Sequence, residues 1–202
     1  MSVLVTTWGG AAVVAAAELD VAAVGPFLLS RPVVLAPLLG AALGEPERGA
    51  VLGAALELCS LRVLPVGGAL SWNAAVAAGT AVLLCLGPSR LPLEGGFFAG
   101  LLAGRLHQAV ETRLRAARAA FGRSADRDAS KGRSLLGAYL ASSLVAQFVM
   151  TALLVFLVLR VAQPIWTGLA GWKVVAGALR ATFVAAPWAC LGSALVSLWR
   201  RP

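Results

Sequence analysis

The feature that most constrains this chain is an apolar run, Leu136–Leu159, which holds 24 residues and no charge. A helix rises about 1.5 Å per residue, so roughly 20 residues cross the hydrocarbon core of a bilayer, which is about 30 Å thick. The run is therefore long enough to span a membrane. Proline disfavours helical backbone at the residue before it, so Gln163-Pro164 predicts the end of this span.

A second run of the same kind, Val174–Leu198, predicts another span, with Arg180 inside it. The composition agrees, because 59% of the residues are hydrophobic and 13% are charged, whereas soluble domains average about 25% charged residues. We therefore predict an all-α, polytopic membrane protein whose single membrane domain covers residues 1–202, with the two full-length spans in residues 134–202. A soluble helical domain with a large core is the alternative.

Two other apolar runs, Pro32–Leu43 and Gly49–Leu61, are too short to cross a membrane. As a helix, the first reaches only about 18 Å. Between them, Gly44 suits the end of one helix and Pro46 suits the first turn of the next. The sequence therefore predicts a re-entrant helical hairpin whose charged turn, Glu45–Arg48, returns to water.

A third short run, Asn73–Leu86, lies between two stretches that are not helix-like, 64–69 and 87–92. Non-helical backbone at membrane depth is tolerated only where protein or a water-filled cavity covers it. Transporters build binding sites from such discontinuous helices. We therefore assign residues 30–86 to a hairpin and loop region that exposes helix ends to a cavity.

Basic residues concentrate between Arg105 and Arg133, where eight Lys and Arg accompany three Asp and Glu, in a chain of net charge +8. Such an excess between spans marks the cytoplasmic side of a membrane and does not indicate nucleic-acid binding. Apolar residues recur here every three or four positions, which predicts a basic amphipathic helix on the membrane surface; they are Leu106, Val110, Leu114, Ala117 and Phe121. We expect residues 104–133 to form this cytoplasmic helix, with a loop over Gly122–Gly132.

A carboxylate, Glu57, lies inside the second arm of the hairpin. A charge in a membrane segment is costly, and it usually faces a polar cavity or a partner. Glu57 is therefore a candidate ligand for a substrate. The alternative is that Glu57 pairs with Arg31 or Arg62 and only fixes the hairpin.

Three residues that follow the hairpin, Ser71, Trp72 and Asn73, add a hydroxyl, an aromatic face and an amide to this carboxylate. Carboxylate, amide and hydroxyl groups bond vicinal hydroxyls, and an aromatic face packs on the C–H side of a sugar ring. The set suits a neutral polyol. Trp72 is equally suited to anchor the chain at the membrane interface.

The sequence offers little chemistry beyond binding. Its single histidine, His107, begins the basic helix, where we expect an exposed or interfacial side chain without a functional role. A phospho-acceptor or proton-relay role is the alternative. The three cysteines are scattered through apolar runs and are expected to act as small hydrophobic residues. Because the sequence has no metal-ligand cluster, activated nucleophile or phosphate-binding glycine loop, we predict no cofactor and no self-contained enzyme.

The segment Ser30–Val82 resembles the membrane subunit IIC of the mannose–fructose–sorbose family of sugar phosphotransferase systems. In that family an Arg-Pro pair opens a hairpin with a Leu-Gly-acidic turn, followed by a glycine with a Leu-Glu pair and by a proline–glycine loop. The matching residues are Arg31-Pro32, Leu43-Gly44-Glu45, Gly53 with Leu56-Glu57, and Pro65 with Gly67-Gly68.

The resemblance implies that the chain binds and translocates a hexose-like sugar with a IID subunit, in a multi-pass, oligomeric complex of the bacterial inner membrane. A phosphorylated IIB partner, served by IIA, then donates phosphate to the sugar, and IIC itself is not phosphorylated. Glu57 matches the intramembrane glutamate of the family's sugar-binding region. The candidate substrate-binding set is then Glu57, Gly67, Gly68, Ser71, Trp72 and Asn73.

The alternative function is a non-transporting membrane scaffold or sensor. It would dock the cytoplasmic phosphotransferase proteins through the basic surface of residues 105–133.

Overall fold

The computed structural model describes residues 3–20, 28–61, 71–131 and 135–199, and within these ranges the chain is helical and has no strand. The helices in chain order are α1 Val3–Glu18, α2 Pro32–Ala42, α3 Pro46–Ser60, α4 Ala74–Leu86, α5 Leu93–Ser130, α6 Leu136–Ala170 and α7 Lys173–Trp199. The predicted all-α class is confirmed. The helices α6 and α7 are long and apolar enough to cross a membrane, as the two predicted spans require.

The hairpin of α2 and α3 forms where the turn residues predict it. Gly44 adopts a left-handed backbone with φ of 82°, which favours glycine, and Pro46 is the first residue of α3. At the glycines of α3, the backbones of the two arms are in contact, with no side chain between them. A Cβ added to Gly49 would lie 2.5 Å from the carbonyl oxygen of Ala36, and one added to Gly53 would lie 2.5 Å from that of Pro32.

The short helix α4 forms the centre of the bundle. Every residue from Ala75 to Leu86 is buried, and the helix contacts α1, α2, α3, α5 and α6. Small residues allow this density, since Gly79 lies against Val14 of α1 and Gly104 of α5 lies against the start of α4. An apolar helix too short to span a membrane is therefore stable because protein surrounds it.

The helix α5 is longer than its sequence predicts. It runs for 38 residues, so the predicted loop from Gly122 to Gly132 is wrong as far as Ser130. One interior glycine costs only about 1 kcal/mol, and α6 supports the final turns of α5. The Tyr139 hydroxyl donates to Asp128 at 2.8 Å, and the Tyr139 and Phe121 rings are 6.3 Å apart.

The helix α6 also passes its predicted end, because it continues through Pro164 to Ala170. Proline is tolerated inside membrane helices when neighbouring groups satisfy the freed backbone. In addition, the indole of Trp166 packs on the Cα side of Gly95 in α5, which holds the last turns in place.

The hairpin packing yields a stability prediction based on two glycines. Gly49→Ala would force α2 and α3 apart, and we expect it to lower the free energy of unfolding by about 1–3 kcal/mol. Gly122→Ala is the matched control, since its Cβ meets nothing within 4 Å and alanine favours helix by up to about 1 kcal/mol. Thermal unfolding of the purified chain in detergent measures both. Equal shifts of Tm in the same direction would contradict the close contact.

Candidate functional site

Helix ends gather at one end of the bundle. The start of α2 meets the last turn of α3 through Arg31 and Glu57, which are 3.4 Å apart. The start of α4 meets the end of α1 through Asn73 and Glu18. Unpaired backbone groups at helix ends attract polar side chains, so this end collects most of the candidate residues.

The Glu57 side chain is partly exposed and has two neighbours on α2. Its Oε1 lies 3.4 Å from Nη1 of Arg31, and its Oε2 accepts a hydrogen bond from the backbone nitrogen of Val33 at 3.3 Å. The Ser60 hydroxyl donates to the Glu57 carbonyl at 2.8 Å. A carboxylate at the start of a helix is favourable because free amides and the helix dipole face it. The contact with Arg31 is the pairing that the structural alternative predicts, and substrate binding by Glu57 stays a prediction.

Asn73 is held firmly at the start of α4. Its Oδ1 accepts from the backbone nitrogen of Val76 at 3.0 Å, which is helix capping. Its Nδ2 donates to Glu18 at 3.2 Å, and its backbone nitrogen donates to the Gly104 carbonyl at 3.0 Å. The side chain therefore has structural partners, and one amide hydrogen remains for a ligand.

The remaining predicted site residues divide into two groups. Trp72 and Ser71 are half-buried, and the Trp72 indole lies against Gly104 of α5. The glycines Gly67 and Gly68 lie outside the described residues, as does Arg62. Of this group the structure thus describes only Ser71 and Trp72, and sugar binding by Gly67 and Gly68 stays a prediction.

A buried carboxylate that sequence reasoning missed, Glu18, connects three helices. Both of its oxygens accept from Nε2 of Gln147, at 2.9 and 3.0 Å, and Oε1 also accepts from Asn73. The Glu18 and Gln147 residues are 9% and 2% exposed, so these hydrogen bonds are made in the interior. The rule that singled out Glu57, that a charge in a membrane segment usually faces a cavity or a partner, applies also to Glu18, the last residue of α1.

The hydrogen bonds continue from Gln147 into α5. Arg118 donates to Oε1 of Gln147 and to both oxygens of Glu111, at 3.0 and 3.2 Å. Burial by itself would raise the pKa of Glu111, but the guanidinium groups of Arg118 and Arg115 lower the pKa below its ordinary value. Glu111 is therefore a carboxylate at neutral pH. One polar network joins the start of α4 to the basic half of α5.

His107 differs from its predicted position. The residue is 1% exposed, and its Nε2 lies 2.9 Å from the Thr151 hydroxyl of α6. The expectation of an exposed or interfacial histidine is wrong because the His107 face of α5 packs on α6. Among the described residues, no group of three His, Cys, Asp or Glu could hold a metal ion.

Comparison with known proteins identifies the family. Residues 3–186 match the family model EII-Sor, described as the sorbose-specific IIC component of the phosphotransferase system. The chain belongs to this family. The resemblance seen in the sequence is thereby confirmed, and IIC is the membrane transport component of such systems, distinct from the subunits that transfer phosphoryl groups.

Individual relatives agree with this family. The sorbose-specific EIIC component of Lacticaseibacillus casei is 30% identical over 105 residues, which are 52% of this chain and 38% of that protein. The aligned region thus spans well under half of the relative's length. A solved structure described only as a membrane protein is also similar. The match covers 100% of this chain and 81% of that chain, with a TM-score of 0.78 and 19% identity. The cryo-EM structure of the mannose transporter ManYZ with microcin E492 has a TM-score of 0.66 and 20% identity, and the match again covers 100% of this chain and 81% of that chain. At these identities the two structures support the fold.

The Glu18–Gln147 contact yields a prediction that uses a double-mutant cycle. Glu18→Leu leaves the buried amide of Gln147 without its acceptor, so we expect a loss of about 1–3 kcal/mol in the free energy of unfolding. Glu18→Leu combined with Gln147→Leu removes both partners, so part of that loss should return. Thermal unfolding in detergent measures the cycle. The exposed Glu47→Leu is the control, and strictly additive losses at positions 18 and 147 would contradict the coupling.

Proposed function

We propose that this chain is the sugar-binding and translocating subunit of a mannose-type phosphotransferase system. The sugar would be delivered to a phosphorylated IIB partner for phosphorylation. The observation that carries the proposal is the position of Glu57, a half-buried carboxylate at the open end of a helical hairpin, in a chain whose residues 3–186 match the IIC family.

The chemistry around Glu57 suits a neutral polyol. An ionised carboxylate has about four lone-pair sites, and the Arg31 and Val33 contacts use two of them. The others can accept hydrogen bonds from sugar hydroxyls. Arg31 is 55% exposed and retains donors for a sugar oxygen, while Trp72 offers an aromatic face. The backbone of Gly67 and Gly68 and the Ser71 hydroxyl complete the proposed binding set.

The proposed partners are a IID membrane subunit, the IIA and IIB proteins and further copies in an oligomer of the bacterial inner membrane. The exposure of α7 supports a need for lateral partners. In the most apolar 18-residue window of α7, 6% of the residues are buried, against 28% in α6. Lipid or a neighbouring subunit would cover this face, which includes Val184 and Trp188.

A second candidate function rests on a different surface. The half of α5 that extends beyond the core exposes Arg113, Arg123 and Arg127. A membrane scaffold or sensor would use these arginines to dock acidic cytoplasmic phosphotransferase proteins. Partner binding that persists without any sugar binding would favour this function.

The proposal predicts the effect of changing Glu57 on sugar affinity. Glu57→Gln keeps the size and one acceptor of the side chain but removes the charge, and charge-assisted hydrogen bonds are stronger than neutral ones by about 1 kcal/mol or more. We expect sugar affinity to fall about tenfold, and Glu57→Ala to bind more weakly still. Calorimetry on the purified complex of this chain with IID measures the affinity, with hexoses as ligands.

Abundance separates the substrate role from the structural alternative. Lost sugar binding at normal abundance in the membrane supports the site. Lost abundance with normal binding per molecule means that Glu57 only neutralises Arg31, since an unpaired charge that is not fully solvated is destabilising. Glu47→Gln, on an exposed position of α3, is the control for charge. Unchanged binding and abundance in Glu57→Ala would reject both roles.

The charge pattern predicts the orientation of the chain in the membrane. Cysteine at Ala120, an exposed position in the basic half of α5, should resist an impermeant maleimide on intact cells because we expect that segment in the cytoplasm. Cysteine at Pro88, in the loop at the opposite end of the bundle, should react. The unaltered chain gives the background of its native thiols. Labelling at position 120 from outside would overturn the orientation.

A further inference from the structure

A cavity of about 580 Å³ lies at the end of the bundle opposite to Glu57. Its walls come from the first turns of α1, the tip of the hairpin, the loop after α4 and the second half of α6. The volume falls within the range of about 300–1,000 Å³ that is typical of small-molecule sites. Neither the sugar site proposed above nor the basic half of α5 includes any of these residues.

The walls of the cavity are apolar and its polar groups are few. Val13, Leu39 and Leu159 line it, together with Gly9, whose missing side chain leaves open space beside α1. Polar groups come from Arg160 and Gln163 of α6, which are three residues apart on one helical face, and from Ser89 and Thr6. A deep apolar wall beside one charged group fits an amphiphile better than a sugar, whose hydroxyls need partners all around.

The charge of Arg160 has no counterpart within the described chain. Arg160 is an exposed residue that directly follows the charge-free run Leu136–Leu159, so its guanidinium lies near one end of the span and can reach the membrane interface. All nine acidic residues of the sequence belong to the described ranges, and the ion pairs formed among the described residues join Glu45, Glu57, Glu94 and Glu111 to other arginines. Arg160 is therefore available to an anionic group of another molecule.

We propose that this cavity binds one anionic phospholipid, with its headgroup phosphate at Arg160 and an acyl chain along Gly9 and Val13. The planar guanidinium matches two phosphate oxygens at once, which gives it stronger hydrogen bonds than a neutral donor. Gln163 and Ser89 supply further hydrogen bonds to the headgroup. The loop of residues 87–92 and the charged turn Glu45–Arg48 lie at this end, so the headgroup would sit at the aqueous boundary. With the orientation expected above, this is the outer leaflet.

Native mass spectrometry of the full chain in mild detergent tests this site. Phosphatidylglycerol and phosphatidylcholine with the same acyl chains are titrated separately. We expect one phosphatidylglycerol to bind about tenfold more tightly than phosphatidylcholine, and Arg160→Gln to remove that preference. Lys173→Gln is the matched control, because Lys173 is an exposed cation at the same end of the bundle but outside the cavity. The control should keep the preference.

A second variant tests the apolar wall. Gly9→Phe directs an aromatic ring into the space beside Gly9, where an added Cβ meets nothing within 4 Å, and it should weaken the binding of both lipids, with Tm as the check that the variant folds. Inorganic phosphate should not displace the bound lipid because it lacks the acyl chain. If Arg160→Gln and Lys173→Gln lose the preference for phosphatidylglycerol equally, the preference reflects general charge attraction and the proposal is overturned. Unchanged lipid binding in Gly9→Phe together with loss of a self-associated or IID-bound species would assign the cavity to a protein interface, and would also overturn it.

Discussion

Helices in lipid gain little by hiding apolar side chains from their surroundings, so they associate where their backbones approach closely. In this chain that approach is concentrated on α4. Gly79 admits the side chain of Val14, and a Cβ at Gly104 would lie 2.6 Å from the carbonyl oxygen of Asn73. The glycine contacts of the hairpin use the same principle. The positions of α1 and α5 around α4, and of α3 beside α2, follow from these small residues.

The polar network at one end of the bundle depends on that packing. Glu18, Asn73 and Gln147 come from α1, the start of α4 and α6, and the hydrogen bonds among them form only when the three helices are in contact. A buried amide or carboxylate without a partner is expensive, so the network specifies one arrangement of the helices. It also links Asn73, a proposed sugar ligand, through Arg118 to the basic half of α5, where cytoplasmic partners would bind.

Short sequence patterns predicted the features that depend only on residues close together in the chain. Gly44 and Pro46 defined the hairpin turn, and the length of Leu136–Leu159 defined a span. The ends of α5 and α6 were missed because contacts with Tyr139 and Trp166, which no local rule contains, extend both helices. The Glu18 network was missed for the same reason, since 129 positions separate Glu18 from Gln147. The family was recognised because its motif is contiguous, whereas the complete proposed ligand set includes Gly67 and Gly68, which lie outside the described residues.

The sparse packing of α7 has a consequence for how the chain enters the membrane. Of its described residues, only Pro187 and Ala194 are buried, so the six preceding helices contain nearly all of the core. Because α7 has few buried residues, its own hydropathy must supply most of the free energy of its insertion into the bilayer. Arg180 opposes this step by up to about 3 kcal/mol at the middle of a helix and by less near an end. It lies eight residues into α7, and after insertion its guanidinium meets Glu94 at 3.4 Å. The Arg180–Glu94 pair would thus stabilise α7 after its insertion and would not drive the insertion.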